Sequence, residues 1–316
     1  MIDQRRSPKI SVVVPALNAE ATIARCIESL LALEWPRDGL EIIVVDNGST
    51  DRTREIVSEH DVRLVSESAI RSPAVPRNRG VREATGELIA FIDSDCEACP
   101  RWLEAACAHF ADETVGAVSG RIDSDEPRTT LEHCVLRRGE LSNARALHHS
   151  FMPAFLTANV VVQRSVFDRI GVFEPRWRCG EDIDLAWRMQ ADGGWRLVYE
   201  PASGVIHHHG PTLGALYRHR RAWAMGAELL EAKWPEKNGR GTKHVGKNLR
   251  CLALKAMLVL LAAPVGIVSP QLFWRQVSGV VARVADIAGR SAGRRAVRDL
   301  GVRPAAPDGS GSDLSR

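Results

Sequence analysis

The stretch ELIAFIDSDCEACP, residues 87–100, joins a strand-like apolar run to a cluster of polar side chains. Its apolar first half is typical of the buried strands of parallel sheets. Asp93 and Asp95 follow that run two positions apart, Cys96 comes directly after them, and Cys99 is three positions further on. The stretch therefore predicts a strand that ends in a candidate metal site, held either by the two carboxylates or by the two thiols.

Similar strands lie on the N-terminal side of this stretch. The runs ISVVVP (10–15) and EIIVVD (41–46) are apolar and β-branched, and helix-like segments separate them. Alternating strands and helices predict a doubly wound α/β domain that binds ligands at the carboxyl ends of its strands. Asn18, Asp46 and the Asp93–Asp95 pair all follow such strand ends. The other predicted elements are strands at 62–66, 87–93 and 115–120, and helices at 75–86, 100–110, 181–193 and 212–234.

The bulk composition excludes some classes of protein. Of the 316 residues, 45% are hydrophobic and 26% are charged, which predicts a packed globular core. The net charge of +3 is too small for a general nucleic-acid binder. Seven cysteines, an odd number, suit reduced thiols better than a disulfide framework, and no signal peptide is visible. We therefore expect a cytoplasmic location, either free or at the cytoplasmic face of a membrane.

The two aspartates of the opening stretch are the better candidates for holding a metal. Carboxylate oxygens suit Mg²⁺ or Mn²⁺, although Asp-x-Asp is also a common turn sequence. A zinc knuckle built on Cys96 and Cys99 needs a second close pair of cysteines, and none exists in the sequence. A redox dithiol needs a thioredoxin-like setting, which is also absent. We therefore expect both cysteines to be free thiols beside the site.

The C-terminal part of the chain is partly apolar. The run AMLVLLAAPVGIV, residues 256–268, is shorter than the roughly 20 residues that a membrane-spanning helix needs. A helix then follows with valines and one isoleucine on one face and arginines on the other. Two interpretations suit this pattern equally well: a helix that lies in a membrane interface, or a core helix at 256–268 followed by a solvated helix. The residues concerned are Val277, Val280, Val281, Val284 and Ile287, with Arg275, Arg283 and Arg290 opposite them.

The chain divides into three predicted parts. Residues 1–235 form the main domain, in which only residues 125–155 show an irregular pattern without clear strands. Residues 236–300 form a helical, partly apolar or amphipathic extension that is a candidate for membrane contact. Residues 301–316 form a disordered tail, because small and polar residues dominate there.

Six stretches between residues 9 and 210 share a pattern with a known family. They are SVVVPALNAEATIARCIESLLA, IIVVDNGSTD, PRNRG, FIDSDCE, TANVVVQRSVFDRIGVFEP and CGEDIDLAWRMQADGGWRLVYEP. In this order they resemble the family 2 glycosyltransferases, inverting enzymes that use nucleotide-sugar donors. The resemblance implies the GT-A fold, an α/β, Rossmann-like fold with a mostly parallel central sheet, followed here by a helical C-terminal extension.

The resemblance implies roles for residues that would bind the donor and a cation. Pro15, Ala16, Asn18 and Asp46 would line the nucleotide pocket, and Arg77 would contact the nucleotide or its phosphates. Asp93 and Asp95 would hold a divalent cation, Mn²⁺ or Mg²⁺, across the diphosphate. Taken alone, Asn18 and Asp46 also suit the role of ordinary strand-end turn formers.

The resemblance also implies which residues act on the acceptor. Asp182 would be the catalytic base, with Glu181 or Asp184 orienting it or binding the acceptor. One of His207 and His209 in the run VIHHHG would lie near the metal or diphosphate. A carboxylate suits removal of a proton from an attacking hydroxyl, and a cation suits neutralisation of a leaving diphosphate.

The predicted function is therefore a hexosyltransferase-type reaction, a metal-assisted single displacement with inversion. The donor would be a UDP-, GDP- or dTDP-sugar, and the acceptor a sugar, a lipid-linked molecule or a small molecule. Ala222 precedes Trp223 where processive synthases carry Gln-x-x-Arg-Trp, which favours a non-processive enzyme. The alternative is a non-catalytic module that binds nucleotide sugars or acts as a scaffold at a membrane. No nucleic-acid partner is expected, and the oligomeric state is left open.

Overall fold

The computed structural model describes residues 8–139, 141–208, 212–235 and 269–305, which divide into two compact units. The first unit contains the described residues up to 123 together with 141–208. The second contains the described residues 124–139, 212–235 and 269–305. The predicted division at residue 235 and the predicted disordered tail remain predictions, and residues 236–268 and 306–316 lie outside the described part.

Eight strands form one sheet with the order β3-β2-β1-β4-β7-β6-β8-β5. Strands β3, β2, β1 and β4 run parallel to one another, and β7 pairs antiparallel with both β4 and β6. The short strand β5 pairs antiparallel with β8. The strands are β1 (Ile10–Ala16), β2 (Leu40–Asp46), β3 (Arg63–Ser66), β4 (Leu88–Ile92), β5 (Cys96–Ala98), β6 (Val115–Ser124), β7 (Asn159–Gln163) and β8 (Arg196–His207).

Helices follow most of these strands, as the alternating sequence pattern predicts. They are α1 (Ile23–Leu31), α2 (Thr53–Ser58), α3 (Ala74–Glu83), α4 (Trp102–Cys107), α5 (Thr130–Gly139), α6 (Asn143–Leu147), α7 (Arg164–Ile170), α8 (Glu181–Ala191), α9 (Leu213–Lys233) and α10 (Pro270–Leu300). Short 3-10 turns lie at Arg37–Gly39 and Ala108–Ala111. The predicted α/β organisation is therefore observed.

The central parallel strands β1, β2 and β4 form the core of the first unit because most of their side chains are apolar on both faces. Every residue of β4 is buried, and in β1 only Pro15 is half-buried. Continuous apolar runs of this kind occur where a sheet is covered on both sides. The predicted positions of the four parallel strands agree with the observed strands to within one residue, whereas β6 extends four residues beyond the predicted 115–120.

Residues 125–155 differ from the irregular segment that we predicted. They contain α5 and α6, and the second of these begins at a true cap. Ser142 precedes α6, and its hydroxyl accepts a hydrogen bond from the backbone N–H of Arg145 at 3.2 Å. The helices were missed because they are short and rich in polar residues, so they show little of the apolar periodicity that identifies a helix.

Helices α9 and α10 pack closely in the second unit because α10 presents small residues to α9. The buried positions of α10 are Ser278, Ala282, Ala285, Gly289 and Gly293. A Cβ atom at Gly289 would lie 2.2 Å from the carbonyl oxygen of Arg221. The predicted valine face contributes less to this packing: Val281 is partly buried against Val135, Leu216 and Ala282, whereas Val284 is 44% exposed.

The close contact at Gly289 predicts a measurable loss of stability. Gly289→Ala and Gly279→Ala add the same methyl group to the same helix and gain the same helix propensity. At Gly279 the nearest atoms belong to the flexible side chain of Arg138, whereas at Gly289 the nearest is backbone. We expect Gly289→Ala to unfold with a free energy about 1–3 kcal/mol below that of Gly279→Ala, the typical cost of overpacking. Denaturant unfolding followed by circular dichroism measures both, and equal stabilities would contradict the packing.

No helix among the described residues combines the length and the apolar character needed to cross a membrane. The apolar run 256–268, on which the prediction of membrane contact partly depends, lies outside those residues.

Candidate active site

The carboxyl ends of β1 and β2 lie side by side, with Ala16 opposite Asp46 in the parallel register. Asp46 is buried, and its two carboxylate oxygens accept hydrogen bonds from the backbone N–H groups of Gly48 and Ser49 at 3.3 and 3.2 Å. Gly48 has a φ of +80°, which a glycine adopts without strain. Asp46 therefore organises the turn that follows β2, and this supports the turn-forming role left open by the sequence.

Asn18 joins the two neighbouring strand-end turns. Its side-chain oxygen accepts a hydrogen bond from the backbone N–H of Thr50 at 2.9 Å. Its backbone N–H donates a hydrogen bond to the hydroxyl of Ser49, also at 2.9 Å. Asn18 has a φ of +51°, a left-handed conformation that asparagine tolerates better than most residues. The structure thus brings the predicted nucleotide residues Pro15, Ala16, Asn18 and Asp46 to one edge of the sheet, with Asn18 exposed.

The motif PRNRG lies on α3 and is explained by packing at two positions. Gly80 lies against β1, since a Cβ atom there would be 2.2 Å from a methyl group of Val13. Asn78 binds the backbone of Phe173 in both directions: its amide donates to the carbonyl at 2.8 Å and its oxygen accepts from the N–H at 3.0 Å. These contacts fix α3 between the sheet and the segment that leads to α8.

Arg77, on the same helix, bridges two acidic residues that are far apart in sequence. One guanidinium nitrogen lies 3.0 Å from Oδ1 of Asp93, and the other lies 2.7 Å from Oε1 of Glu181. The Arg77 side chain is only 7% exposed. Burial lowers the pKa of Arg77, but the carboxylates of Asp93, Glu181 and Asp182 outweigh it and raise the pKa above its usual value. The bridge connects the end of β4 to the start of α8.

The first turn of α8 contains the two predicted catalytic residues. Gly180 precedes it with a φ of +85°, and Glu181 is buried while Asp182 is half-buried. Burial and the neighbouring Asp182 raise the pKa of Glu181 to about 7, although Arg77 opposes this. Burial also raises the pKa of Asp182, against Arg77 and backbone hydrogen bonds from Ile183 and Thr157. Within the described part of the chain, Oε2 of Glu181 is buried without a hydrogen-bond partner.

Asp184, which the sequence could not distinguish from Glu181, has a structural partner. Its fully buried carboxylate lies 2.9 Å from Nε of Arg188, one turn later on α8. Arg188 in turn donates hydrogen bonds to the carbonyl oxygens of Ile170 and Val172 at 2.7 and 2.9 Å. Asp184 therefore helps to attach α8 to the segment that follows α7, whereas Glu181 points to Arg77.

Asp95, Cys96 and His207 lie together at the start of β5. Oδ1 of Asp95 is 3.3 Å from Nε2 of His207, and Cys96 is the residue opposite His207 in the antiparallel pair. The possible ligand atoms of these three residues all lie within 4.8 Å of one another. Burial raises the pKa of Asp95, and His207 lowers it. Burial and the nearby Asp93 and Asp95 raise the pKa of Cys96 well above its usual value.

These residues fit a divalent cation. An oxygen from Asp95 and a nitrogen from His207 are the ligand types that Mn²⁺ and similar ions accept, and Asp93 is next to them. Asp93, however, is also the ion-pair partner of Arg77, so one of its oxygens is already engaged. His207 is the buried histidine of the predicted pair, and His209 lies outside the described residues.

The sequence did not predict a second group of charged side chains, which contains His208. His208 lies 2.7 Å from Oε1 of Glu97 and 3.4 Å from a guanidinium nitrogen of Arg25, and Arg25 also pairs with Glu97 at 3.2 Å. The strand pairing of β5 with β8 brings these residues together. No local pattern connects Arg25 with residue 208, so only the pairing reveals the cluster.

The expected free thiols are observed among the described residues. Cys96 and Cys99 form no disulfide, and neither do Cys26, Cys107, Cys134 or Cys179.

Comparison with known proteins relates the sequence of this chain to a family. Residues 11–175, more than half of the chain, match the model of the family described as "Glycosyl transferase family 2". A pre-mycofactocin glycosyltransferase of Mycobacterium tuberculosis is 32% identical over 237 residues, which cover 72% of this chain and 48% of that protein. Glycosyltransferase AglE of Haloferax volcanii is 28% identical over 211 residues, 64% of this chain and 67% of that protein. The chain thus spans about half the length of the mycobacterial relative.

The fold also has solved counterparts. A mannosyltransferase from Pyrobaculum calidifontis, solved in complex with GDP-Man and Mn²⁺, superimposes with a TM-score of 0.58 at 22% identity. The match covers 89% of this chain and 87% of that chain. At this identity the likeness concerns the fold alone, and it confirms the predicted GT-A fold class.

Proposed function

The chain belongs to glycosyl transferase family 2, and we propose that it transfers a sugar from a nucleotide-sugar donor to an acceptor hydroxyl by a single displacement that inverts the anomeric carbon. Membership confirms the predicted family and enzyme class. The site supports this reaction: the sheet edge made by β1, β2 and β4, which would bind the donor, is linked through Arg77 to the acidic first turn of α8.

The observation that carries the proposal is the Arg77 bridge. It holds Asp93, the first acid after β4, and Glu181, the neighbour of the proposed base Asp182, on one guanidinium group. A transferase needs its donor diphosphate and its acceptor hydroxyl positioned together, since correct placement of the two reactants provides much of the rate. A rigid link between the two acidic segments supports such an arrangement.

The donor side of the site uses the strand ends. Pro15, Ala16, Asn18 and Asp46 would line the nucleotide pocket, with the two hydrogen-bonded turns giving it a fixed shape. Asp95 and His207 would hold a divalent cation, with Asp93 beside them. The cation, when bound, would neutralise negative charge on the leaving diphosphate.

The acceptor side uses α8. Asp182 would take the proton of the acceptor hydroxyl while the hydroxyl oxygen forms a bond to the anomeric carbon. At the same time the bond between that carbon and the diphosphate would break, and the diphosphate would leave. Its raised pKa brings this carboxylate closer to the working pH, where a general base is most effective. Glu181 would position Arg77 and, through it, Asp93.

The finer parts of the proposal rest on the sequence. The donor would be a UDP-, GDP- or dTDP-sugar, and the acceptor a sugar, a lipid-linked molecule or a small molecule. Because Ala222 interrupts the motif of processive synthases, the enzyme would add one or a few sugars. We also propose that residues 1–235 form the transferase domain and that residues 236–300 bring it to the cytoplasmic face of a membrane.

Donor binding is tested by calorimetry with UDP-, GDP-, dTDP- and CDP-sugars, each with and without Mn²⁺. We expect one nucleotide to bind, and Asp95→Ala to weaken that binding by at least about 10- to 100-fold in the presence of Mn²⁺, the range seen even for outer-shell changes at metal sites. Asp61→Ala is the matched control, since the Asp61 side chain is fully exposed. Binding that does not depend on Asp95 or on Mn²⁺ would remove the cation from the proposal.

A further inference from the structure

Cys96 is the side chain of this site to which the proposed function assigns no role. It is the first residue of β5, directly opposite His207 on β8, and it directly follows Asp95. Residues that face each other in an antiparallel pair project to the same side of the sheet. The strand pairing therefore places a thiol on the same side as the histidine that contacts Asp95.

We propose that Cys96 is a third protein ligand of the cation site, so that the site binds a thiophilic divalent cation such as Zn²⁺ through Asp95, Cys96 and His207. The proposal rests on the cation site of the proposed function and extends it. The three possible ligand atoms lie within 4.8 Å of one another, so small side-chain movements would bring them onto one ion.

The donor set determines the class of cation. Thiolate ligands favour Zn²⁺ and other soft or borderline ions, whereas carboxylate and water favour Mg²⁺ and Mn²⁺. Three protein ligands leave a fourth position open, as in catalytic zinc sites, and there a diphosphate oxygen of the donor can bind. An acidic pair alone would accept only the harder cations well.

The other nearby cysteines do not share this geometry. The Sγ atom of Cys26 lies 3.7 Å from the carbonyl oxygen of Asp93 and belongs to a fully buried side chain of α1. Sγ of Cys99 lies close to Gly204, 3.2 Å from the position a Cβ atom would take there, beside the guanidinium group of Arg121. Among the described residues, only Cys96 joins Asp95 and His207 in a group that could hold an ion. Cys99 is therefore the matched control.

The test measures metal binding without any donor or acceptor. Zn²⁺ affinity is determined by competition with a chromophoric chelator, and Cd²⁺ binding by the ultraviolet sulfur-to-metal charge-transfer band. We expect Cys96→Ser to lower Zn²⁺ affinity by roughly 10- to 100-fold or more and to remove the band, while Cys99→Ser retains both. Mn²⁺ affinity should change by less than about threefold in Cys96→Ser, because a hard cation relies on oxygen. His207→Gln should lower the affinity for both ions, so that the band appears only at higher Cd²⁺ concentration.

X-ray absorption of the Zn²⁺-loaded wild-type chain gives an answer that does not depend on the folding of any variant. We expect one sulfur ligand at about 2.3 Å, together with nitrogen and oxygen ligands. A shell of nitrogen and oxygen alone, or an unchanged Zn²⁺ affinity in folded Cys96→Ser, would overturn the proposal and leave Cys96 as a core residue. Since no sugar nucleotide is used, such a result would not affect the proposed transfer reaction. That reaction is tested separately by the donor titration and by Asp182→Asn.

Discussion

Asp182→Asn is expected to lower the turnover of sugar transfer by about 10²–10⁴-fold, the usual contribution of a general base. The substitution keeps the shape of the side chain but removes its ability to accept a proton. Donor binding should persist, because Asp182 lies at the start of α8 and the proposed nucleotide residues lie at the strand ends. Donor affinity by calorimetry and transfer rate with a fixed acceptor measure the two effects separately.

The matched control is Asp192→Asn, which makes the same change at the exposed C-terminal end of the same helix. It should leave both donor affinity and turnover unchanged. If Asp182→Asn is also silent, Asp182 is not the base, and a non-catalytic nucleotide-sugar module becomes the better reading. If Glu181→Gln abolishes transfer while Asp182→Asn does not, the base is Glu181.

The pH dependence gives an independent check on Asp182. A base must be deprotonated to act, so the rate falls as the pH drops through its pKa. Burial raises the pKa of Asp182, so this fall should begin at a higher pH than for an exposed aspartate. The acidic limb of the pH–rate profile should be lost from the residual activity of Asp182→Asn.

Arg77→Met is expected to lower the free energy of unfolding by about 3–5 kcal/mol. Methionine fills much of the same volume but leaves the carboxylates of Asp93 and Glu181 without their shared partner. Removing one member of a buried ion pair is costly because the remaining charge is neither solvated nor paired. Denaturant unfolding of the whole chain measures the loss.

Arg79→Met is the control for this prediction. Arg79 is on the same helix, but its side chain is 38% exposed and pairs with Glu83 one turn away. Exposed ion pairs of this kind contribute up to about 1 kcal/mol to the free energy of unfolding, so Arg79→Met should lose no more than that. Equal losses for the two variants would show that Arg77 does not act as a buried bridge. The double variant Arg77→Met with Glu181→Gln should recover part of the stability, since it removes one of the two unpaired charges.

The loss of stability expected for Arg77→Met should also depend on pH, in a direction that the pKa of Glu181 determines. Burial raises the pKa of Glu181 to about 7 in the folded protein, against a usual value of 4.5. A carboxyl with a raised folded pKa favours the fold at low pH and loses that contribution as the pH rises through the folded value. Without Arg77 the pKa of Glu181 should rise further. The loss in the free energy of unfolding caused by Arg77→Met should therefore be smaller at acidic pH and should grow as the pH rises.

Local sequence was sufficient for the strands and for the acids at their ends. The parallel strands are continuous apolar runs, a pattern that burial on both faces requires, so their positions could be predicted closely. Asp46, Asp93 and Asp95 directly follow such runs, and parallel strands bring their carboxyl ends to one edge. The acidic first turn of α8 could be predicted because acidic residues stabilise helix N-termini.

Distant contacts decided the rest. The sequence suggested that Arg77 binds a nucleotide, but only the packing of Gly80 on β1 and of Asn78 on Phe173 brings its guanidinium between Asp93 and Glu181. The small-residue face of α10 was likewise missed, because its alanines and glycines carry little apolar signal although they allow close helix packing.

By itself, the sequence determined the α/β fold class, the family and the group of acidic residues, because each depends on short-range pattern or on motif order. The tertiary structure alone decided which two acids Arg77 bridges, which carboxylate of α8 is structural, and that Cys96 faces His207. These relations depend on strand pairing and helix packing between residues up to about a hundred positions apart. Local propensity contains no information about such a register, and only the folded chain establishes it.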